Sequence, residues 1–354
     1  MNRTALIMTG GTGGHIFPAL AVADELRQRG WTVVFLGAEG GMETRLVPDR
    51  GYPLKTLAIR GVRGNGALRW LLMPLMLARA VLKSLALQFG VRPDVVVGFG
   101  GYTGAPGGLA ARLLWKPLVI HEQNSVAGLT NRVLSHIATR TLFAFPGAFA
   151  GKAGLVGNPV RADIAALPAP ESRFAGRSGP LRLLVVGGSL GARVFNEVVP
   201  EALARLPAAE RPVVVQQAGA KQLDALRDNY ASAGVTADCR AFIDDMAAEY
   251  AAADLVLCRA GALTVAELAA AGVASVLVPF PHAVDDHQTG NAAFLADAGA
   301  GILLPQSGLT AESLAALLAD MTRDRCLEMA VAARRQARTD AASRVADVCE
   351  ELAE

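Results

Sequence analysis

Two rhythms of apolar and polar positions alternate along the chain. Short apolar runs rich in β-branched residues occur at 5–9, 32–36, 94–97, 117–120, 181–186, 212–216, 254–257 and 274–278. Helical spacing of apolar positions lies between most of them, as at 17–29, 193–206 and 264–271. Strand and helix in alternation predict an α/β fold, a parallel sheet with helices on both faces. Runs that are apolar on both sides suit strands buried within such a sheet.

A repeat organises these elements. Gly10-Gly11-Thr12-Gly13-Gly14 follows the first run, and Gly187-Gly188-Ser189-Leu190-Gly191 follows the run at 181–186. Their offset of 177 residues is half of the 354-residue length. Each turn opens a helical pattern, so the sequence predicts two Rossmann-like, doubly wound domains in tandem. Their boundary is expected within 156–180, a stretch rich in Pro, Gly and Ala. The expected division is 1–160, 161–338, and a last helix at 339–354 that packs back on the first domain. Ligands of such sheets bind at the carboxyl ends of the strands.

Composition narrows the class. Hydrophobic residues make up 52% and charged residues 19%, which excludes a disordered or acidic solvating chain. No stretch reads as the ~18 uncharged apolar residues of a spanning helix. The N-terminus runs from Ala5-Leu6-Ile7-Met8 straight into glycines, and reads as a first strand and not a signal peptide. Four separated cysteines with no C-x-x-C pair point to buried thiols, not a disulfide scaffold or zinc site. The formal net charge of +2 hides an asymmetry. Residues 1–160 carry 17 Lys and Arg against 7 Asp and Glu, a net +10, while the remainder is −8. The first half therefore suits an anionic partner.

Glycine-rich turns after buried strands let backbone approach an anion, and the helix that follows adds unpaired N–H groups. Neither turn fits G-x-G-x-x-G, since Ile16 takes the place of the last glycine, nor the Walker A pattern. His15 ends the first turn as a candidate general base, the alternative being a capping or packing role. A third turn, Gly98-Phe99-Gly100-Gly101-Tyr102, follows 94–97, and the polar run His121-Glu122-Gln123-Asn124 follows 117–120. That run has the composition of a polar-ligand site or of an ordinary strand-to-helix loop. The segment from Arg259 to Glu267 opens another helix, where an acidic residue suits ribose hydroxyls. His282, Asp285, Asp286 and His287 have metal-ligating chemistry, but no second cluster joins them and no D-x-D occurs, so no metal site is expected. Gly187 to Gly191 also satisfies G-x-S-x-G, the nucleophile elbow of serine hydrolases, with Asp254 and His282 or His287 following in order. That reading leaves the first half unexplained.

Residues 69–83 form a very apolar helical pattern edged by Arg69, Arg79 and Lys83, and Trp115-Lys116 adds an aromatic–cation pair. Such a helix is either buried or sunk in a membrane interface. Nucleic acid is not expected, because aromatics total 5% with no basic–aromatic interleaving.

Taken in order, GGTGGHIFPALAVADEL, GFGGYTGAP, HEQNSVAGLTNR, GNPVR, GGSLGARVFN, FIDDM, RAGALTVAEL and PHAVDDHQTGNA span nearly the whole chain. The set closely resembles the MurG family, peripheral-membrane N-acetylglucosaminyltransferases of peptidoglycan synthesis. The resemblance implies a GT-B fold, two Rossmann-like domains facing across a cleft. It implies inverting transfer of GlcNAc from UDP-GlcNAc to the 4-hydroxyl of MurNAc in lipid I, giving lipid II without a cofactor, at the cytoplasmic face of the bacterial inner membrane. Carried over by motif position, substrate contacts fall on Thr12, Gly13, Gly14, Asn124, Arg161, Ser189, Ile243, Ala262, Leu263, Thr264, Val265, Ala266, Glu267 and Gln288. Ile243 would meet the uracil, Glu267 the ribose, Gln288 the sugar, and the turn containing Ser189 the pyrophosphate. Leu190 stands where the family often has Gln. His15 is the first choice for base and Glu122 the second, as base or as the group orienting it, with Tyr102 as an acceptor contact. An anionic membrane surface is expected to meet the cationic, apolar face of residues 60–116. A non-hydrolysing UDP-GlcNAc epimerase is the alternative reading.

Overall fold

The computed structural model describes residues 3–59, 67–151, 153–188 and 191–354, with the side chains of 67–73 and of Val284 outside that description. The chain divides into two compact units, Met1–Arg161 with Arg338–Glu354, and Ala162–Ala337.

The first unit is a six-stranded parallel sheet. Its strands are β1 (Thr4–Met8), β2 (Thr32–Ala38), β3 (Leu54–Leu57), β4 (Val95–Gly98), β5 (Leu118–Glu122) and β6 (Arg140–Phe143). They are ordered β3-β2-β1-β4-β5-β6. Its helices are α1 (Gly13–Gln28), α2 (Glu43–Asp49), α3 (Ala67–Val91), α4 (Gly104–Leu113) and α5 (Leu129–Leu134). Alternate side chains of each strand enter opposite cores. Ala5 and Ile7 of β1 pack with Ile16, Leu20 and Leu26 of α1. Leu6 and Met8 pack with Ala111 of α4 and Leu134 of α5 on the other face.

The second unit repeats the plan. Helices α6 (Ala162–Ala165) and α7 (Pro170–Phe174) precede β7 (Arg182–Val186), α8 (Arg193–Ala204), β8 (Val213–Gln217), α9 (Leu223–Ser232), β9 (Asp238–Arg240) and α10 (Met246–Ala252). Then come β10 (Leu255–Cys258), α11 (Ala262–Ala271), β11 (Ala274–Leu277), α12 (His287–Ala296), β12 (Gly301–Leu303), α13 (Ala311–Ala319) and α14 (Arg323–Gln336). The sheet order β12-β11-β10-β7-β8-β9, read in reverse, matches the first sheet strand for strand. The last helix, α15 (Ala341–Leu352), returns to the first unit. Val345, Ala346 and Cys349 of α15 enter the core under α1. Arg29 at the end of α1 reaches Asp347 at 2.7 Å and Glu350 at 2.8 Å.

Helix α3 departs from ordinary amphipathic burial. It turns Ala80, Ser84 and Gln88 inward, with Gln88 Nε2 donating to the Gly107 carbonyl of α4 at 2.8 Å. The opposite side exposes Leu75 (70%), Leu82 (67%) and Phe89 (70%), spaced by seven residues. Its stretch Pro74–Val91 reaches the length and mean hydropathy (1.3) of a membrane-crossing helix, although only 17% of it is buried. No such stretch was expected from the sequence. Counting uncharged residues stops at Arg79 and Lys83, whereas the folded helix runs through both.

The four cysteines are free thiols. Burial pushes Cys258, Cys326 and Cys349 up to about 12, which keeps them protonated and unreactive near neutral pH.

Candidate active site

In the first unit three loops meet at the carboxyl ends of β1, β4 and β5. The turn after β1 leads through Thr12 into α1, whose first backbone N–H groups have no intrahelical acceptor. The turn after β4 lies against it. Gly101 has φ +82°, and a Cβ there would come within 2.5 Å of the Gly10 carbonyl oxygen. Glycine at this position lets the two turns touch. A Cβ on Gly100 would sit 3.3 Å from His15 Cε1, so backbone flanks the imidazole. Tyr102, next in the chain, is half exposed.

The third loop holds the polar run. Because β5 ends at Glu122, successive side chains point to opposite faces of the sheet. His121 and Gln123 share one face, and Glu122 takes the other. All three are buried, so they are not a solvent-facing ligand surface. Gln123 Oε1 lies 2.7 Å from His15 Nδ1. Gln123 Nε2 lies 3.0 Å from His121 Nδ1 and 2.9 Å from the His121 carbonyl. His121 Nε2 meets the Gly157 carbonyl at 2.9 Å. Burial pushes the His121 pKa down from 6.5 to about 4, against the opposing pull of the Gly157 carbonyl and of Glu122.

Glu122 accepts four N–H groups. Asn124 N and Nδ2 reach its Oε1 at 3.0 and 3.3 Å. Gly128 N and Asn131 Nδ2 reach its Oε2 at 3.1 and 2.9 Å. The carboxylate thus shapes the loop that presents Asn124, while the side chain touching His15 is Gln123.

In the second unit Gly187 and Gly188 follow β7; Ser189 and Leu190 lie outside the described residues. A Cβ on Gly191 (φ +75°) would overlap the Ala218 carbonyl, so this turn too is pressed against a neighbouring strand end. Gln217 bridges two loops, donating to the Gly188 carbonyl at 2.8 Å and accepting from Ile243 N at 2.8 Å. Ile243 is buried. Helix α11 starts after Gly261, with Ala262 and Val265 buried and Leu263, Thr264 and Ala266 partly exposed. Its Glu267 is buried beside Tyr250, whose hydroxyl lies 3.4 Å from Glu267 Oε2. Gln288, in the first turn of α12, accepts from Phe280 N at 2.8 Å. Arg259 spans the loop ends, donating to the Val278 and Pro279 carbonyls at 3.2 Å and stacking near Phe195 and Phe280. Arg161 is the last residue of the first unit before the chain crosses over.

The hydrolase pattern fails on topology. Asp254 precedes β10, which runs parallel to β7, whereas the Gly187-Gly188 pair that opens the pattern follows β7. The two therefore belong to opposite ends of the sheet. Asp254 is buried against Arg177, Arg323 and the backbone N–H of Arg182.

Gln123 and Gln217 are the residues whose roles sequence reasoning missed. For Gln123 the only available signal was two-residue alternation continued past the end of a strand.

Comparison with known proteins places this geometry in a family. Residues 5–143 match the glycosyltransferase family 28 N-terminal domain and residues 182–345 its C-terminal domain. A UDP-N-acetylglucosamine–N-acetylmuramyl-(pentapeptide) pyrophosphoryl-undecaprenol N-acetylglucosamine transferase of Aromatoleum aromaticum is 62% identical over 351 residues, covering 99% of this chain and 98% of the relative. The protein of the same name from Ralstonia nicotianae is 61% identical, covering 98% and 96%. The crystal structure of Acinetobacter baumannii MurG superposes with a TM-score of 0.88 at 44% identity, covering 99% of both chains. The chain has the two-domain α/β GT-B fold and belongs to the MurG family of glycosyltransferase family 28.

Proposed function

We propose that the chain transfers GlcNAc from UDP-GlcNAc to the 4-hydroxyl of MurNAc in lipid I, giving lipid II with inversion at the anomeric carbon. The observation that carries the mechanism is His15, set where two glycine turns meet, with Nδ1 on Gln123; Nε2 is the nitrogen assigned to the reactant. The acceptor oxygen bonds to the anomeric carbon as its proton passes to His15 Nε2. The bond from that carbon to the diphosphate oxygen breaks, and its electron pair leaves with UDP. Amides at the start of α11, the turn containing Ser189 and Arg161 stabilise the charge that develops there.

Thr12, Gly13, Gly14, Tyr102 and Asn124 are assigned to the reacting sugars. Ile243 is assigned to the uracil edge, Glu267 to the ribose, the run from Ala262 to Ala266 to the diphosphate, and Gln288 to the transferred sugar. Glu122 is assigned to loop shaping, because four donors already occupy its oxygens.

The acceptor is a lipid, and α3 offers the means to reach it. A helix that buries Ser84 and Gln88 while exposing Leu75, Leu82 and Phe89 is turned inside out for water. Arg79 and Lys83 flank that stripe, and Arg112 stacks 4.8 Å from the ring of the exposed Trp115. This face is assigned to the anionic cytoplasmic surface of the inner membrane, with each nearby cation contributing about 1 kcal/mol.

The test is transfer of labelled GlcNAc from UDP-GlcNAc to a short-chain lipid I analogue. Product of lipid II composition with one UDP released per transfer is expected. Conversion of UDP-GlcNAc to an epimer with no acceptor present, and no transfer, would replace the reading with the epimerase.

A further inference from the structure

The contacts around His15 fix where its hydrogen sits. The Gly157 carbonyl only accepts, so the hydrogen in its 2.9 Å contact with His121 Nε2 belongs to the ring. His121 is buried and, with its pKa near 4, carries a single ring hydrogen near neutral pH. Its Nδ1 is therefore a lone pair. Gln123 Nε2 faces two acceptors, that lone pair at 3.0 Å and the His121 carbonyl at 2.9 Å. Reversing the amide would set its oxygen against both. The amide orientation is thus determined by its partners, and Oε1 points to His15 Nδ1 at 2.7 Å. An amide oxygen only accepts, so His15 carries its hydrogen on Nδ1. When the ring is neutral, its lone pair is on Nε2.

The geometry points to a relay from the Gly157 carbonyl through His121 and Gln123 to His15, in which His121 and Gln123 are positioning residues that select the base-competent tautomer of His15. This rests on the assignment of His15 as base made above. Every polar atom of the Gln123 side chain is committed to the relay, with both hydrogens directed to His121 and the oxygen to His15. The Phe99 ring packs against His121 with centroids 5.5 Å apart, and the Gly100 backbone flanks His15, which limits rotation of both rings. An imidazole without this acceptor is free to place its hydrogen on Nε2, where it blocks proton transfer from an incoming hydroxyl.

The chain has only five histidines, so nitrogen-15 labelling of histidine followed by NMR resolves each ring, with His15 assigned by loss of its signals in His15→Gln. In the neutral form of the ring and without substrate, wild-type His15 is expected as the Nδ1–H tautomer. Gln123→Met, which keeps the length but removes both polar atoms, is expected to populate the Nε2–H form. It should lower kcat by about 10- to 100-fold, part of what a general base supplies, with KM for UDP-GlcNAc within about two-fold. A wild-type His15 bearing its hydrogen on Nε2 would overturn the relay, as would a Gln123→Met protein with unchanged tautomer or unchanged kcat. The wild-type spectrum decides the tautomer even should Gln123→Met fail to fold. The expected tautomers in a chain that transfers no GlcNAc would support the relay and overturn the proposed reaction instead.

Discussion

Glu122 and His121 are neighbours with opposite electrostatic solutions to burial. Glu122 stays buried because four N–H groups replace water around it. Glu122→Gln would turn an amide NH2 toward donors, and each buried group left unsatisfied costs about 1–3 kcal/mol. The unfolding free energy of that variant, measured in urea, is expected to fall by that order; an unchanged value would contradict the assigned role. His121 instead stays neutral, with a folded pKa of about 4 against the ordinary 6.5. Between those values the unfolded chain binds a proton that the folded chain does not. Stability is therefore intact above about pH 6.5 and is lost as pH falls toward 4, by about 3 kcal/mol over the window. Urea unfolding at pH 7 and pH 4.5 should show a steeper loss for wild type than for His121→Gln, and equal losses would refute it. At this scale the sequence displayed the chemistry of His121, Glu122 and Gln123 without their direction. Three polar residues after an apolar strand read as a ligand surface, because the pattern does not reveal that donors and acceptors close on one another inside the fold.

At the scale of elements, legibility followed burial. The eight strands expected from the pattern are the four central strands of each sheet, within one or two residues at their ends. The four that escaped notice, β3, β6, β9 and β12, are the edges of the two sheets. Edge strands cover one neighbour only, are three or four residues long here, and carry exposed positions such as Lys55, Arg140 and Asp238. Their apolar signal is correspondingly weak. The glycine turns were legible as turns, and the structure adds why alanine fails there. Gly101→Ala and Gly191→Ala each combine a left-handed φ with collision against a neighbouring carbonyl. Each is expected to destabilise by about 1–3 kcal/mol and to reduce transfer, since the strain displaces the turn itself. Thermal unfolding and initial rates would show it, and a variant with wild-type values in both would contradict the close packing of these turns. Helix α3 was legible as apolar but ambiguous in destination. Only its inward Ser84 and Gln88 reveal which side faces out.

Across the whole molecule, the two units repeat one sheet order, and the half-length offset of the glycine turns was the sequence trace of that repeat. The charge split of +10 and −8 separates a half suited to anionic lipid from one that is not. Flotation with anionic vesicles is expected for the wild-type chain and to fall sharply for Leu82→Glu combined with Phe89→Glu, and for Trp115→Glu. Undiminished flotation would remove this face from membrane contact. The most direct test of the central claim is transfer to the lipid I analogue by His15→Ala, measured at saturating substrate alongside its affinity for UDP-GlcNAc. A general base is worth about 100- to 10,000-fold, so kcat is expected to fall by that order while donor affinity stays near wild type. Wild-type turnover in His15→Ala would contradict the claim that this imidazole takes the acceptor proton.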